Sequence, residues 1–234
     1  DLAVLDGILV INPKNFVERR ENIERQLRPL GFPYEYVHAF DIGDLTANVT
    51  GMYFRNKILH PGQQSCALKH VQALRLICER NWQRALVLED DALLADNFSV
   101  ELNAALQEAV WLPELRVLFV GSGGNQYIPR REQVKGQRLY RSTRGRLAEA
   151  YVIGSPAARL RLDWIELNGI PLPIDNLFEQ VDREREIAMY WLEPPIVEQG
   201  SKNGRFRSVL EPAPPNCIRR IQSIFQKVRR KYLA

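Results

Sequence analysis

Short apolar stretches recur along the chain, each four to six residues long. Continuous apolar runs of this length are typical of buried strands, and alternating runs rich in aromatic and β-branched residues are typical of half-buried ones. GILVIN and ALVL are of the first kind, and YEYVHA is of the second. The pattern predicts strands over residues 7–12, 34–39, 85–88, 116–120, 148–153 and 189–192.

Apolar positions three or four residues apart predict helices between these strands. The apolar stripe of residues 65–80 is formed by Ala67, Val71, Leu74 and Cys78. Further helices are predicted over residues 16–30, 100–110 and 156–167, and another begins at Ile174. Residues 41–63 lack a clear period and contain several glycines, so we predict a long loop there, a feature that often carries function.

The alternation of strands and helices predicts an α/β fold with a mainly parallel central sheet and helices on both faces. Sheets of this kind bind ligands beyond the carboxyl ends of their strands. The length of 234 residues suits one sizeable domain. We assign residues 1–210 to that domain and residues 211–234 to a proline-rich hinge followed by a basic amphipathic helix.

The basic charge is concentrated at the C-terminal end of the chain. From residue 202 onward there are nine Lys/Arg and one Glu, whereas the whole chain has a net charge of +4. The tail has no pattern of a nucleic-acid-binding fold and no set of aromatic side chains on which bases could stack, so we expect no nucleic-acid binding. Its apolar stripe consists of Ile218, Ile221, Phe225, Val228 and Tyr232. This pattern suits either a helix on an anionic membrane surface or a helix docked on its own domain.

The three cysteines, Cys66, Cys78 and Cys217, form no CxxC pair, so a zinc site is not expected. Cys66 and Cys78 lie roughly 18 Å apart on the predicted helix, too far for a disulfide. We interpret the cysteines as free thiols in a reducing cytosol. Because no membrane span or signal-peptide pattern is visible, we expect a cytoplasmic protein, peripheral at most to the inner face of the cytoplasmic membrane.

Three adjacent carboxylates, Glu89, Asp90 and Asp91, follow the apolar strand ALVL. Like charges this close repel each other unless a positive charge lies between them. Mn²⁺ or Mg²⁺ would supply it, and Glu89 and Asp91 leave an extended backbone on the same side. The alternative is a solvated acidic turn. A metal at a sheet edge indicates a diphosphate ligand, and the absence of a Walker loop and of GxGxxG argues against ATPase and dinucleotide-binding functions.

Seven segments, in order, resemble glycosyltransferase family 25, which includes lipooligosaccharide β-galactosyltransferases and collagen-modifying galactosyltransferase domains. They are VINPKNFVERR, FPYEYVHAFD with Asp41, PGQQSCALKH, VLEDD, AEAYVIGSPAA, PID and PPIVEQ. The sequence departs from the family pattern at Lys69, where Ser is usual, and at Glu149, in a region of small residues. Both departures could alter donor or acceptor contacts.

The resemblance implies a GT-A type fold, a UDP-sugar donor, Mn²⁺ and inversion at the anomeric carbon. Asp175 is the candidate general base, and Glu89 and Asp91 are the candidate metal ligands. The expected donor contacts are Asn12, Arg19, Arg20, His70, Glu89, Asp90, Gln199 and Ser201. The implied function is transfer of galactose or glucose to a glycan or lipid-linked glycan acceptor in lipopolysaccharide or surface polysaccharide assembly.

Several of these assignments have alternatives. Asp175 also suits a helix N-cap, His70 equally suits the core, and one residue of the pair Arg19 and Arg20 suits a solvated helix surface. The chain as a whole could instead be a non-catalytic module that binds a nucleotide sugar without turnover. A metal-dependent nucleotidyltransferase, which would consume a nucleoside triphosphate, is the third possibility.

Overall fold

The computed structural model describes residues 5–54 and 59–206, together with residues 221, 222, 224–226 and 228 of the tail. The strands in these ranges are β1 (Gly7–Ile11), β2 (Tyr34–Val37), β3 (Ala85–Glu89), β4 (Ala92–Leu94), β5 (Arg116–Phe119), β6 (Leu139–Ser142), β7 (Ala150–Ile153), β8 (Ala188–Leu192) and β9 (Val197–Gln199). The α-helices are α1 (Val17–Leu27), α2 (Ala47–Tyr53), α3 (Pro61–Glu79), α4 (Phe98–Glu108), α5 (Ser155–Asn168) and α6 (Ile174–Glu184). Each strand and helix predicted within residues 7–192 forms, whereas α2, β4, β6 and β9 were not predicted.

Seven strands build one sheet in the order β2-β1-β3-β7-β5-β8-β6. Five of them run in one direction, and β6 and β7 run against them, so three of the six pairings are antiparallel. The prediction of a mainly parallel sheet is therefore confirmed, because most strands run in the same direction. Antiparallel pairings are nevertheless more frequent than the prediction implied. The chain passes from β1 to β2 on one side and then to β3 on the other, which creates a switch point between β1 and β3, where α/β sheets bind ligands.

Helices cover both faces of the sheet, as predicted. Because successive strand residues point to opposite faces, Ile8 and Val10 pack into a core with α1 and α4. Leu9 and Ile11 pack into the other core, with α3, α5 and α6. Each of these fully buried side chains contributes about 1.5–3 kcal/mol relative to exposure. The two cores hold the ends of β1 and β3 in place.

A buried ion pair ties α5 to α6. Arg161 donates from Nε to Asp182 Oδ1 at 2.8 Å and from Nη2 to Oδ2 at 2.6 Å. Its guanidinium also lies 4.0 Å from the centre of the Phe178 ring. This two-point pairing, which favours one relative geometry, holds the helix whose first turn carries Asp175.

The prediction of a loop over residues 41–63 is wrong for most of that range. Residues Ile42–Asp44 form a 3₁₀ turn, and α2 follows with the Thr46 hydroxyl accepting from the Val49 N–H. Helix α3 begins at Pro61, before the predicted start at residue 65, because His60 caps it and proline suits the first helical position. Helix α2 is too short and too exposed to show an apolar period. Residues 55–58 lie outside the described ranges.

Only part of the predicted tail is described. Residues 221, 222, 224–226 and 228 are helical, and the side chains of Ile221, Phe225 and Val228 are exposed. The predicted hinge, Cys217 and the rest of the stripe lie outside the described residues. Among the residues that are described, no helix is both long and apolar enough to cross a membrane. Cys66 and Cys78 are free thiols, as predicted.

Candidate active site

A cavity of about 390 Å³ lies beyond the carboxyl ends of β1 and β3, at the switch point of the sheet. This volume suits a small ligand. The side chains that line it include two cations, four carboxylates, three of them adjacent in the chain, and two residues at or just after the end of β9. They are Arg19, Lys69, Asp41, Glu89, Asp90, Asp91, Gln199 and Ser201. The acidic triplet therefore lies in a cavity and not in a solvated turn.

Asp90 is locked by two side chains from the first strand–helix segment. Its Oδ2 accepts from Asn12 Nδ2 at 2.8 Å, and its Oδ1 accepts from Arg19 Nη1 at 3.0 Å. Its backbone N–H donates to the Ile11 carbonyl at 3.0 Å. Burial raises the pKa of Asp90 to about 7, against the opposing charge of Arg19. Asp90 thus orients Arg19 at the wall of the cavity.

Glu89, the last residue of β3, is held from two sides. His70 Nε2 and Cys66 Sγ lie 3.4 and 3.7 Å from its Oε1. Its Oε2 accepts from Gln199 Nε2 at 3.3 Å. Burial opposes ionisation, but His70, Arg19 and Cys66 together outweigh it and hold the pKa of Glu89 below its ordinary value. The carboxylate is therefore charged and fixed in direction.

Asp91 carries an oxygen that lacks a partner. Its Oδ2 accepts from the Ser201 N–H at 3.0 Å, whereas Oδ1 is buried and makes no hydrogen bond to the described residues. Burial and the charge of Glu89 raise the pKa of Asp91. An unpaired buried carboxylate oxygen is costly, so this position calls for a positive ligand.

Residues late in the chain reach the triplet through a small second sheet. Strand β4 pairs with β9 in antiparallel register, which sets Ala92 opposite Gln199. The Gly200 N–H then donates to the Asp91 carbonyl at 2.8 Å. A Cβ at Gly200 would lie 2.9 Å from that same carbonyl, so only glycine allows this approach. This contact places Gln199 and Ser201 beside the carboxylates.

Two sets of side chains near Glu89 could hold a metal ion. Cys66 Sγ, a ring nitrogen of His70 and a carboxylate oxygen of Glu89 lie within 4.8 Å of one another. Without a metal, burial raises the pKa of the Cys66 thiol well above its ordinary value, so a metal ion bound here would have to displace the thiol proton. Glu89 and Asp91 offer the oxygen atoms that Mn²⁺ and Mg²⁺ prefer. The described residues therefore fit a hard cation better than a soft one.

Asp175 lies in the first turn of α6, where the N-cap is Pro173 and not Asp175. Its Oδ1 accepts only a local bond, from the Asn176 N–H at 3.0 Å, among the hydrogen bonds of the described chain. Burial raises the pKa of Asp175, and the charge of Glu89 raises it further. A second cavity, of about 220 Å³, is lined by Asp175 together with Glu89 and Ser201, so it continues the first. The geometry therefore places Asp175 and Glu89 on the wall of one cavity, next to the cavity that holds the whole acidic triplet.

Three of the expected donor contacts lie away from the cavity wall. Asn12 is fully buried behind Asp90, and His70 is fully buried beneath Glu89 with Nδ1 3.1 Å from the Tyr151 hydroxyl. Arg20 donates to the Lys14 carbonyl at 3.4 Å, on the outer side of α1. Of the arginine pair, Arg19 reaches the cavity. Asn12 and His70 are placed to position carboxylates and not to touch a donor directly.

Lys69, one of the two departures from the family pattern, forms a buried ion pair. Its Nζ lies 2.7 Å from Asp41 Oδ1 and donates to the Ala39 carbonyl at 2.8 Å. Both Lys69 and Asp41 line the first cavity. The pairing of positions 41 and 69 was not visible in the sequence, because the two positions are 28 apart in the chain; the departure from the family pattern at Lys69 was the only signal.

Glu149, the other departure, is buried next to the triplet. Its Oε1 accepts from the Gly123 N–H at 2.6 Å, and Oε2 makes no hydrogen bond to the described residues. Any Cβ at Gly121 would overlap this carboxyl group, so glycine there makes room for it. Its backbone carbonyl accepts from the Glu89 N–H at 2.9 Å. Glu149 thus joins β7 to the end of β3 and lines the second cavity.

This burial predicts a pH-dependent stability. It raises the pKa of Glu149 from 4.5 to about 8 in the folded state. The folded state therefore holds the proton more tightly, and the stability this provides is complete below pH 4.5 and lost as pH rises through 8. In EDTA, we expect Glu149→Gln to melt like the wild type at pH 4.5 and about 3–8 °C higher at pH 9.

Thermal melts across this pH range measure the effect. Glu166→Gln is the matched control, because Glu166 is exposed on α5 and should melt in parallel with the wild type. If the difference between Glu149→Gln and the wild type does not change with pH, Glu149 does not carry the shifted pKa.

The chain belongs to glycosyltransferase family 25: the sequence model described as Glycosyltransferase family 25 (LPS biosynthesis protein) matches residues 5–177. This match confirms the resemblance found in the motifs and identifies the class as a sugar-transferring enzyme. Within that class, the chain is similar to Procollagen galactosyltransferase 1-B of Xenopus laevis, with 27% identity over 203 residues. The aligned part is 81% of this chain and 33% of that protein, so the chain spans about one third of its length.

Proposed function

We propose that this chain is an inverting, metal-dependent hexosyltransferase of GT-A type, which moves galactose or glucose from a UDP-sugar to a hydroxyl of a glycan acceptor. The observation that carries the proposal is the pair of half-buried Glu89 and buried Asp91 at the switch point of the sheet, with an oxygen on Asp91 that has no partner among the described residues. The family and the galactosyltransferase relative support the choice of a hexose.

The donor would bind across the first and second cavities. Glu89 and Asp91 would hold Mn²⁺ or Mg²⁺, which stabilises the negative charge on a departing nucleoside diphosphate. Arg19 lines the first cavity and Lys202 the second, so both offer positive charge to diphosphate oxygens. His70 and Gln199 keep Glu89 aimed, and Asn12 does the same for Asp90.

Asp175 would act as the general base. In an inverting transfer one base deprotonates the attacking hydroxyl, and no covalent enzyme intermediate forms. Asp175 lines the second cavity together with Glu89, and burial raises its pKa above the ordinary value, which makes it a stronger base. A sugar in this cavity would therefore meet both the candidate metal ligand Glu89 and the candidate base.

The acceptor context follows from the family description, which names lipopolysaccharide biosynthesis. A lipid-linked glycan acceptor would suit an enzyme that can approach a membrane. The exposed apolar side chains Ile221, Phe225 and Val228 support such an approach. Binding of the tail to an anionic surface and a location at the inner face of the cytoplasmic membrane stay predictions from the sequence.

The test is donor turnover by the purified chain with Mn²⁺ and a panel of UDP-sugars, with and without neutral glycan acceptors. We expect UDP release with one hexose donor, stimulated by acceptor, and a loss of about 100-fold or more in EDTA that excess Mn²⁺ restores. Release that is insensitive to EDTA would contradict the metal role.

The two alternatives predict different results in the same experiment. A nucleotidyltransferase would consume a nucleoside triphosphate with a sugar phosphate and release pyrophosphate. A binding module would bind UDP-sugar in calorimetry and release no UDP under any condition. UDP release from a single hexose donor excludes both.

A further inference from the structure

Beyond the two cavities of the proposed donor site lies a third. It has a volume of about 570 Å³ and lies against β8 and the start of α6. It shares Leu147, Asp175 and Asn176 with the second cavity. The three cavities therefore form one series, with Asp175 on the boundary between the last two.

The wall of this third cavity carries an anchored aromatic ring. The Trp191 indole Nε1 donates to the Arg144 carbonyl at 2.8 Å. The guanidinium of Arg146 lies 4.5 Å from the centre of the Trp191 ring and covers it from the protein interior. Arg146 is itself buried, with Nη2 3.0 Å from Glu193 Oε2. The ring is thus held in place before any ligand binds, which lowers the entropy cost of using it as a binding surface.

The remaining wall is polar without excess positive charge. Gln126, Tyr127 and Asn176 offer neutral hydrogen-bonding groups, and the side chains of Asp175 and Glu179 outnumber the single cation, Arg144. A phosphate or an acidic sugar would face carboxylates here. An aromatic surface combined with neutral donors and acceptors suits a ligand with an apolar ring face and many hydroxyls.

We propose that the third cavity binds the acceptor saccharide, a neutral hexose or hexoside, with Trp191 as its stacking surface. The inference rests on the proposed function, because it takes the second cavity as the site of the transferred sugar. A hydroxyl of a sugar stacked on Trp191 would project toward Asp175, at the boundary of the two cavities. This arrangement would bring the attacking hydroxyl to the base at the boundary between the acceptor and donor cavities.

The experiment compares Trp191→Ala with Trp191→Phe, and uses Trp111→Ala as a matched control because Trp111 is 89% exposed and lines none of the three cavities. Steady-state kinetics use the hexose donor with lactose, methyl β-galactoside, methyl α-glucoside or N-acetylglucosamine. For Trp191→Ala we expect kcat/KM for the acceptor to fall about 10- to 100-fold, mainly through KM, while the donor KM stays within about twofold. Trp191→Phe, which keeps an aromatic ring, should recover most of the loss.

The same saccharides are titrated by ligand-observed NMR, which needs no turnover. Binding that is lost in Trp191→Ala and kept in Trp111→Ala supports the cavity assignment. Equal acceptor KM in Trp191→Ala and wild type, a parallel change of donor and acceptor KM, or no saccharide binding to the wild type each overturn it. If UDP is never released but saccharide binding depends on Trp191, the proposed function fails and the cavity assignment stands.

Discussion

Asp91→Asn is expected to lower donor turnover about 100- to 1,000-fold while the protein stays folded. The substitution removes one carboxylate charge but keeps the shape of the side chain and an oxygen for the Ser201 N–H. The Oδ1 of Asp91 is buried without a hydrogen-bond partner in the described chain. Replacing the carboxylate by an amide therefore breaks no contact of Oδ1 that stabilises the fold. Relief of repulsion from Glu89 should leave the melting temperature in EDTA equal to or above that of the wild type.

UDP release over a Mn²⁺ titration, together with thermal melts, measures both parts of this prediction. Asp96→Asn is the matched control, because Asp96 is exposed and lies only five residues along the chain, outside the cavities. Wild-type turnover by Asp91→Asn would remove Asp91 from the metal site. A large fall in melting temperature would instead make the carboxylate a structural group.

For Asp175→Asn we expect transfer to the acceptor to fall about 100- to 10,000-fold, with UDP affinity retained. Asp175 lines the second and third cavities but not the first, so a nucleotide held at the triplet would not depend on it. Burial raises the pKa of Asp175, so the wild-type rate should fall with decreasing pH through a pKa above the ordinary aspartate value of 3.8. The residual activity of Asp175→Asn should not show this fall in rate at acidic pH.

Calorimetry with UDP and a pH series of transfer rates test this prediction. Asp163→Asn, on the exposed side of α5, is the matched control and should behave as wild type in both measurements. A variant that loses UDP affinity in proportion to its rate would place Asp175 in the donor site. If the transfer rate of Asp175→Asn still fell with decreasing pH as in the wild type, the general base would be another group.

Short-range patterns explain why so much of the fold could be predicted. The runs that became β1 and β3 are continuous and apolar because both faces of these strands are covered by helices. The three carboxylates are adjacent in the chain, so their position at the end of β3 required no knowledge of tertiary structure. Strands β4 and β9 were missed because each has only three residues and their pairing joins positions about a hundred residues apart.

Lys69 and Glu149, the two departures from the family pattern, have partners in the structure that the sequence does not reveal. In the sequence, Lys69 and Glu149 were residues that could alter substrate contacts. In the structure, Lys69 is matched by Asp41, and Glu149 is matched in part by the Gly123 N–H. A buried charge or polar group requires a partner, but its partner can lie anywhere in the chain. Sequence alone can therefore mark such a residue as unusual without saying what satisfies it.

The amino-acid sequence by itself determined the order of the strands and helices other than α2, β4, β6 and β9, the acidic end of β3 and the family, because each of these depends on residues close together in the chain. The tertiary structure decided which of the expected residues meet. It turned Arg19 inward and Arg20 outward, buried His70 behind Glu89, and brought Gln199 and Ser201 to the triplet through β4 and β9. It also placed Asp175 between two cavities, because the packing of α6 against α5 fixes the position of the first turn of α6.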